Sequence, residues 1–319
     1  MTIVVAPDSF KGTHTAAEVA RAIASGVRDE GGSAHELPLA DGGEGTLEVL
    51  RGPMELELVD MASVGPWGDP VAARYGMNRA GTAVIELAMA SGIDLPSKGY
   101  RCPVAADTYG TGLLMADAVS RGAREIVVAC GGSATTDGGV GALQALAEAG
   151  GTGNTRIVVL ADVTTHFVDA ARVFGPQKGA DADAVHVLSE RLRQLAESWP
   201  RNPSGVARTG AAGGFAGGMW AHHGASMVSG ADFVLDYVGF DAAAREASMV
   251  IVGEGRLDSQ TGQGKIISAV LSRCGTTPVV ACVGSIGPDL GSARDRFAHV
   301  RVASTLEELR AAGRELARS

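Results

Sequence analysis

Five short glycine-rich segments contain most of the side chains in this sequence that could do chemistry. They are DSFKG (8–12), DGGEGT (41–46), GGSATTDGG (131–139), GAAGG (210–214) and GEGRLD (253–258). Glycine lets backbone N–H groups approach an anion closely, and the N-terminus of a following helix adds positive potential. One such loop indicates only a tight turn, but five in one chain favour a site that binds phosphate.

Acidic side chains accompany these glycines at the ends of predicted strands. The set comprises Asp8, Asp41, Asp162, Glu254 and Asp258, and Asp137 lies inside a glycine loop. Carboxylates next to bound phosphates suit Mg²⁺, which takes one or two carboxylate ligands together with phosphate oxygens. One carboxylate could also accept the proton of a substrate hydroxyl. For any single acid, a helix cap or a loop hydrogen bond is the alternative interpretation.

Lysine is scarce and lies close to the same segments. The chain has 23 Arg and four Lys, and three of the lysines, Lys11, Lys178 and Lys265, lie in or beside motifs, as does Arg256. Phosphoryl transfer requires positive charge near the developing equatorial oxygens, where an ammonium and a guanidinium are not interchangeable. Glycines, acids and cations together therefore indicate a phosphotransferase, with a hydrolase or a plain anion-binding module as the alternative.

Several other classes of protein are excluded or made less favourable. The motifs GxxxxGK[ST], GxGxxG, HExxH and GxSxG are absent from the sequence, which argues against Walker-type NTPases and dinucleotide dehydrogenases. With 27 Lys and Arg against 36 Asp and Glu, the net charge is −9, and no basic block indicates nucleic-acid binding. No apolar run approaches the roughly 20 residues that a membrane helix needs. The four cysteines form no CxxC pair, and we expect a cytoplasmic protein.

The elements that must position these side chains alternate along the chain. β-branched runs predict strands at 3–6, 36–40, 126–130, 249–252, 278–283 and 299–302. Apolar residues recur at a spacing of four within 15–30, which predicts a helix that begins with a capping box at Thr15 and Glu18. A second capping box, at Ser304 and Glu307, predicts the final helix. This alternation predicts βαβ units and a parallel sheet, with the glycine loops at its carboxyl edge.

One stretch breaks the alternation. Three β-like runs, at 55–61, 71–77 and 83–87, are joined by turn-forming sequences, and this pattern predicts an antiparallel meander. The segments 156–162 and 231–237 are expected to belong to the same insertion. A second domain inserted into the first explains the interruption.

We therefore predict an α/β protein of two domains. A Rossmann-like parallel-sheet domain would comprise residues 1–53, 118–150 and 246–319. An inserted α/β domain containing the antiparallel strands would comprise residues 54–117 and 151–245.

In these motifs the sequence resembles the bacterial glycerate kinases of the type that makes 2-phosphoglycerate. The matching strings, in the family's order, are APDSFKG (6–12), ADGGEGT (40–46), IELAMASG (85–92), CGGSATTDGG (130–139), FGPQKGA (174–180), GAAGG (210–214) and GEGRLDSQ (253–260). Together they span nearly the whole chain. The resemblance implies phosphorylation of D-glycerate with ATP and Mg²⁺ by a two-domain α/β enzyme whose active site lies in the cleft between the domains. We expect a monomer or a homodimer.

The resemblance also suggests roles for individual residues. Asp8 or Asp41 would position or deprotonate the hydroxyl, Lys11 would clamp the transferred phosphoryl group, and Arg256 would hold the carboxylate of the acceptor. The expected nucleotide contacts are Gly131, Gly132, Ser133, Thr135, Lys178, Gly213, Glu254 and Lys265. The expected Mg²⁺ contacts, direct or through water, are Asp137 and Asp258.

The sequence departs from the family pattern in three places. It is shortened after Gly150, it lacks the usual Asn-Pro-Leu turn after Thr164, and it has Leu113 where the family has Glu. If these segments line the acceptor pocket, another small 2-hydroxy carboxylate could replace glycerate. A catalytically silent ligand-binding relative is the alternative from a different class.

Overall fold

The structure is a computed structural model that describes residues 2–99, 101–257, 266–287 and 291–318. The chain divides into two compact units. Unit 1 comprises Met1–Asp41, Glu48–Pro53 and Ala231–Ser319, and unit 2 comprises Gly42–Leu47 and Met54–Gly230. Among the described helices, none combines the length and the apolar character needed to cross a membrane.

The described strands and helices alternate through most of the chain. The strands are β1 (Thr2–Pro7), β2 (Ser33–Glu36), β3 (Glu57–Val64), β4 (Pro70–Met77), β5 (Thr82–Glu86), β6 (Glu125–Ala129), β7 (Arg156–Leu160), β8 (Ser226–Val228), β9 (Met249–Leu257), β10 (Val279–Ile286) and β11 (His299–Val302). The α-helices are α1 (Ala16–Asp29), α2 (Thr46–Arg51), α3 (Ala88–Ser91), α4 (Tyr109–Ser120), α5 (Val140–Glu148), α6 (Ala170–Phe174), α7 (Ala182–Ser198), α8 (Phe215–His223), α9 (Gly230–Tyr237), α10 (Phe240–Glu246), α11 (Ile266–Arg273) and α12 (Leu306–Ala317).

Unit 1 contains a five-stranded sheet in the order β11-β10-β9-β1-β2, and all four strand pairs are parallel. Helix α1 begins at the predicted capping box of Thr15 and Glu18. Its apolar stripe packs with α12 on a core that includes β1, β9 and β10. Gly26 allows the two helices to meet closely, because a Cβ at that position would lie 1.9 Å from the Arg310 carbonyl oxygen.

Unit 2 contains a six-stranded mixed sheet in the order β3-β4-β5-β6-β7-β8. The β3-β4 and β4-β5 pairs are antiparallel, which confirms the predicted meander, and the remaining pairs are parallel. The core is formed by the sheet together with apolar side chains of α4, α5 and α8. The combination of a parallel-sheet unit and a unit with antiparallel strands confirms the predicted fold class.

The predicted division into domains differs from the structure in three segments. The shortest, Gly42–Leu47, lies in unit 2 and not in the first domain. Residues 118–150 lie in unit 2 and not in the first domain, because β6 pairs in parallel with both β5 and β7. Residues 231–245 lie in unit 1, and 231–237 belongs to helix α9, not to the insertion. Strand pairing decides the assignment of 118–150, because local periodicity does not reveal which sheet a strand joins.

Two local predictions are shifted along the chain. Strand β2 ends at Glu36, where the predicted strand began, although the amides of Leu37 and Leu39 still donate to carbonyls of β1. The final helix is capped by Thr305 and Glu308, one residue later than predicted. Both shifts are of the size expected for the ends of elements.

Candidate active site

In unit 1 an acidic cluster lies at the carboxyl ends of two neighbouring strands. Asp8 directly follows β1, and Glu254 lies near the end of β9. The parallel register places Pro7 opposite Gly253, and the Asp8 amide donates to the Gly253 carbonyl at 2.8 Å. The chain after β2 runs alongside β1 up to Leu39, which brings Asp41 to the same end of the sheet.

Asp8 is the most strongly perturbed carboxyl group of this cluster. Its side chain is 9% exposed. Burial, and next the charge of Asp41, raise the pKa of Asp8 from 3.8 to about 7, and Glu254 adds to the shift. A hydrogen bond from the Ser9 amide to Asp8 Oδ1, 2.6 Å long, and the charge of Lys11 act in the opposite direction. A carboxyl group with such a pKa can exchange a proton near neutral pH.

The two cations predicted for unit 1 lie near these acids along the chain. Lys11 is exposed on a tight turn after Phe10 and is close enough to influence the charge of Asp8. Arg256 is exposed on β9, two residues beyond Glu254. Alternate residues of a strand share one face of the sheet, so Glu254 and Arg256 project to the same side. Glu254 therefore lies with the acids of unit 1, and its predicted contact with the nucleotide stays a prediction.

In unit 2 a lysine is anchored to the glycine loop that follows β6. Lys178 ends the 3₁₀ turn Pro176–Lys178, and its Nζ donates to Ser133 Oγ at 2.9 Å and to the Thr135 carbonyl at 2.5 Å. Burial lowers the pKa of Lys178 to about 8, and the charge of Asp137 opposes that shift. The ammonium group stays mostly protonated at neutral pH. It has three N–H donors, and these two hydrogen bonds use two of them.

The hydroxyl of Thr135 is a second polar group that the loop leaves unsatisfied. Thr135 is 0% exposed, and its Oγ1 has no hydrogen-bond partner among the described residues. A buried hydroxyl without a partner costs free energy. The carbonyl of the same residue accepts from the Lys178 ammonium group. Both groups can donate to an anion, which makes this loop the candidate phosphate contact of unit 2.

Asp137 has a structural role in the same loop. Its Oδ2 accepts from the amide and the hydroxyl of Thr108, at 3.0 and 2.7 Å, and from the Gly141 amide at 3.0 Å. Its Oδ1 accepts from the Gly139 amide at 3.1 Å, and the residue is 5% exposed. Four donors occupy the carboxylate, which disfavours a direct bond to Mg²⁺, and the predicted Mg²⁺ contact, direct or through water, stays a prediction.

The predicted glycines bring backbones together. A Cβ on Gly131 would lie 2.4 Å from Gly43 Cα, and a Cβ on Gly213 would lie 2.0 Å from the Thr135 carbonyl oxygen. Gly132 has a φ of +70°, which L side chains rarely adopt. Gly213 is buried, so it supports the loop from behind and does not line an open surface.

Two predicted residues, Asp258 and Lys265, lie outside the described residues. Within the part of the chain that the structure describes, no group of three or more His, Cys, Asp or Glu side chains is arranged to hold a metal ion. The predicted residues that are described form two sets. Unit 1 holds Asp8, Lys11, Asp41, Glu254 and Arg256, and unit 2 holds Gly131, Gly132, Ser133, Thr135, Asp137, Lys178 and Gly213.

Sequence reasoning missed two residues that organise these loops. Thr108 donates twice to Asp137, and Glu86 accepts a hydrogen bond from the Leu47 amide at 2.8 Å. Glu86 is the last residue of β5. The rule that selected Asp8 and Asp162, an acid at the end of an apolar strand, would also have selected Glu86. Thr108 carries no comparable signal.

The sequence of this chain matches known proteins over nearly its whole length. The model of the glycerate kinase family matches residues 3–151 and 149–318. The glycerate kinase of Bacillus subtilis (strain 168) is 37% identical over 329 residues, which cover 91% of this chain and 86% of that protein. The glycerate 2-kinase of Escherichia coli (strain K12) is 35% identical over 331 residues, 91% of this chain and 87% of that protein. A crystal structure assigned to glycerate kinase 2 from Salmonella typhimurium LT2 has a TM-score of 0.84 at 32% identity, and the match covers 100% of this chain and 97% of that one.

Proposed function

Because the chain belongs to the glycerate kinase family, we propose that it transfers the terminal phosphoryl group of ATP to the 2-hydroxyl of D-glycerate. The products would be 2-phosphoglycerate and ADP. The family match and the relatives named glycerate kinase support the acceptor, and the relative named glycerate 2-kinase supports the position of transfer.

The observation that carries this proposal is the perturbed carboxyl group of Asp8. Burial and the neighbouring charge of Asp41 raise its pKa to about 7, which suits a group that accepts the proton of an alcohol during transfer. Asp41 would hold the hydroxyl in line for attack. In the deprotonated state, the negative charge of Asp8 is balanced by Lys11, and Lys11 would also contact the transferred phosphoryl group.

Arg256, the second cation predicted near the acids of unit 1, would select the acceptor. Arg256 offers a planar set of N–H donors that matches a carboxylate. A 2-hydroxy acid has a carboxylate next to its hydroxyl. Arg256 would hold that carboxylate while the acidic cluster holds the hydroxyl, and the two contacts together would orient the acceptor. Positioning of this kind is the main requirement of phosphoryl transfer, which needs little covalent help from the protein.

The glycine loop of unit 2 would bind phosphate groups of ATP. Lys178 and the buried hydroxyl of Thr135 supply donors there, with Ser133 next to them. We propose that Mg²⁺ enters with ATP and is held chiefly by its phosphates, as is usual for this ion. It would neutralise charge on the phosphates, and Asp258 is the candidate protein ligand.

An assay of ADP release tests the proposal directly. The purified protein is given ATP and Mg²⁺ with D-glycerate, L-glycerate or other 2-hydroxy acids, and the phosphorylated carbon is identified by phosphorus NMR. We expect turnover with D-glycerate and a 2-phosphoglycerate signal. No ADP release above the rate with ATP alone for any acid would overturn the kinase assignment. Turnover with a different acid only would overturn the substrate and keep the reaction type.

A further inference from the structure

One loop of unit 2 lies across the carboxyl ends of three neighbouring parallel strands. This segment, Gly42–Leu47, is called loop 42–47 below. At β5 the Leu47 amide donates to Glu86. At β6 the loop packs against Gly131, two residues after the strand, because a Cβ on Gly131 would lie 2.4 Å from Gly43 Cα. At β7 a Cβ on Gly42 would lie 3.2 Å from Leu160 Cβ.

Glu86 holds the far end of this loop. It is 2% exposed, and its Oε1 accepts from the Leu47 amide, in the first turn of α2. A carboxylate is buried at substantial cost unless donors compensate it, and the amides at a helix start are donors without helical partners. The pairing therefore fixes the start of α2 to the end of β5.

Asp162 supports the near end of the loop. It lies two residues beyond β7, and its Oδ1 accepts from the Gly230 amide at 2.8 Å. Gly230 packs directly on Gly42, since a Cβ at Gly42 would lie 2.8 Å from Gly230 Cα. Gly42 has a φ of +86°, a backbone conformation that residues with a side chain rarely adopt. Asp162 thus holds the surface against which Gly42 rests.

We propose that Glu86 and Asp162 are positioning residues that set the location of Asp41 through loop 42–47. Asp41 is covalently joined to Gly42, so a displacement of the loop displaces the Asp41 backbone. The inference rests on the proposed function, in which Asp41 holds the acceptor hydroxyl in line. Misplacement of a reacting group by about 1 Å can cost about a hundredfold in rate, and a carboxylate at each end of the loop, Glu86 buried and Asp162 half-buried, would prevent it.

A double-mutant cycle separates positioning from general stability. Glu86→Ala removes the acceptor of the Leu47 amide, and we expect kcat to fall about tenfold or more while KM for ATP changes less than about twofold. Glu86→Gln retains an oxygen acceptor and should recover activity to within about threefold of wild type. In an Asp41→Asn background, Glu86→Ala should lower the remaining rate by less than about twofold, because the group it positions is already lost. Equal losses in both backgrounds would overturn the proposal.

A readout independent of catalysis keeps the proposal testable if the assay fails. Hydrogen exchange measured on peptides covering loop 42–47 should be faster in Glu86→Ala and in Asp162→Ala than in wild type. The matched control is Glu125→Ala, at the opposite end of the same sheet, which should leave this exchange unchanged. Unchanged exchange in both loop variants would overturn the positioning role. Faster exchange in a protein with no kinase activity would uphold the loop contacts and overturn only the proposed function.

If Glu86→Ala does not fold, the second anchor provides the decision. Asp162→Asn keeps Oδ1 and should retain activity, whereas Asp162→Ala should lower kcat and should be non-additive with Asp41→Asn. A thermal unfolding midpoint recorded for each variant identifies any loss caused by unfolding. Equal activity of Asp162→Ala and wild type, together with unchanged exchange, would overturn the proposal for this residue.

Discussion

The two units use charged side chains in opposite ways. In unit 1, burial and next the charge of Asp41 raise the pKa of Asp8 to about 7. In unit 2, the buried carboxylate of Asp137 receives four hydrogen bonds, and Lys178 is anchored to two oxygens of the same loop. Unit 1 therefore sets like charges side by side, whereas unit 2 surrounds its charged groups with hydrogen-bond partners.

Similar motifs therefore give their carboxylates different surroundings. Both sites follow a parallel strand, and both combine glycine, aspartate and lysine. The carboxyl group of Asp8 is buried next to the charge of Asp41, which disfavours its ionised form, whereas the carboxylate of Asp137 accepts four hydrogen bonds within its own unit. The predictions below test the role proposed for each site.

The largest expected effect is the loss of activity in Asp8→Asn. An amide cannot accept the hydroxyl proton, and general base catalysis contributes about 10²- to 10⁴-fold, so kcat should fall by that amount. In wild type, kcat/KM should rise with pH up to about 7 and then level off, because Asp8 must be deprotonated. Steady-state kinetics between pH 5 and 9 test both points. A variant that retains the wild-type profile would remove Asp8 from the proton-transfer role.

The second effect concerns the cation beside the acidic cluster. Lys11→Ala should lower kcat about 10²-fold, by analogy with the loss of other groups that stabilise transition-state charge. Lys98→Ala, at an exposed lysine of unit 2, is the matched control and should behave as wild type. A rate within about threefold of wild type in Lys11→Ala would contradict the clamp role and weaken the contrast between the units.

The third effect is on stability and has a defined sign. The folded state raises the pKa of Asp8 above its ordinary value of 3.8, so it binds the proton more tightly than the unfolded chain does. This contribution is present below about pH 4 and is lost as pH rises through about 7. The free energy of unfolding of wild type should therefore fall relative to Asp8→Asn by about 1.4 kcal/mol per pH unit in that window. Urea unfolding of both proteins at pH 5, 6, 7 and 8 measures it, and a constant difference would contradict the raised pKa.

The smallest effect is expected at the fixed site of unit 2. Lys178→Met removes the charge and keeps an apolar stem, so KM for ATP should rise about tenfold while kcat stays within about threefold. Lys98→Met is the control with the same chemical change on an exposed site. A pH-dependent fall in kcat, with KM unchanged, would show that Lys178 takes part in proton transfer and would contradict the distinction between the two units.

Local sequence patterns were sufficient for the acidic cluster of unit 1. The first apolar run marks where β1 ends, and the run 249–252 stops two residues before Glu254, although β9 continues to Leu257. Adjacent parallel strands then bring Asp8 and Glu254 close together. The same reasoning was insufficient for Asp137. Its donors include Thr108, which lies 29 residues away in another loop, and nothing in the local pattern predicts that pairing.

Residue types, periodicity and motif order were enough to identify the family, the fold class, the antiparallel meander and the acids and lysines that could act. These properties are local. The placement of residues 118–150 in unit 2, the four hydrogen bonds of Asp137 and the contact of Glu86 with loop 42–47 became visible only in the folded chain. Each of these depends on which distant strand or amide a residue meets, and hydrogen bonds between remote segments form only when the whole chain has packed.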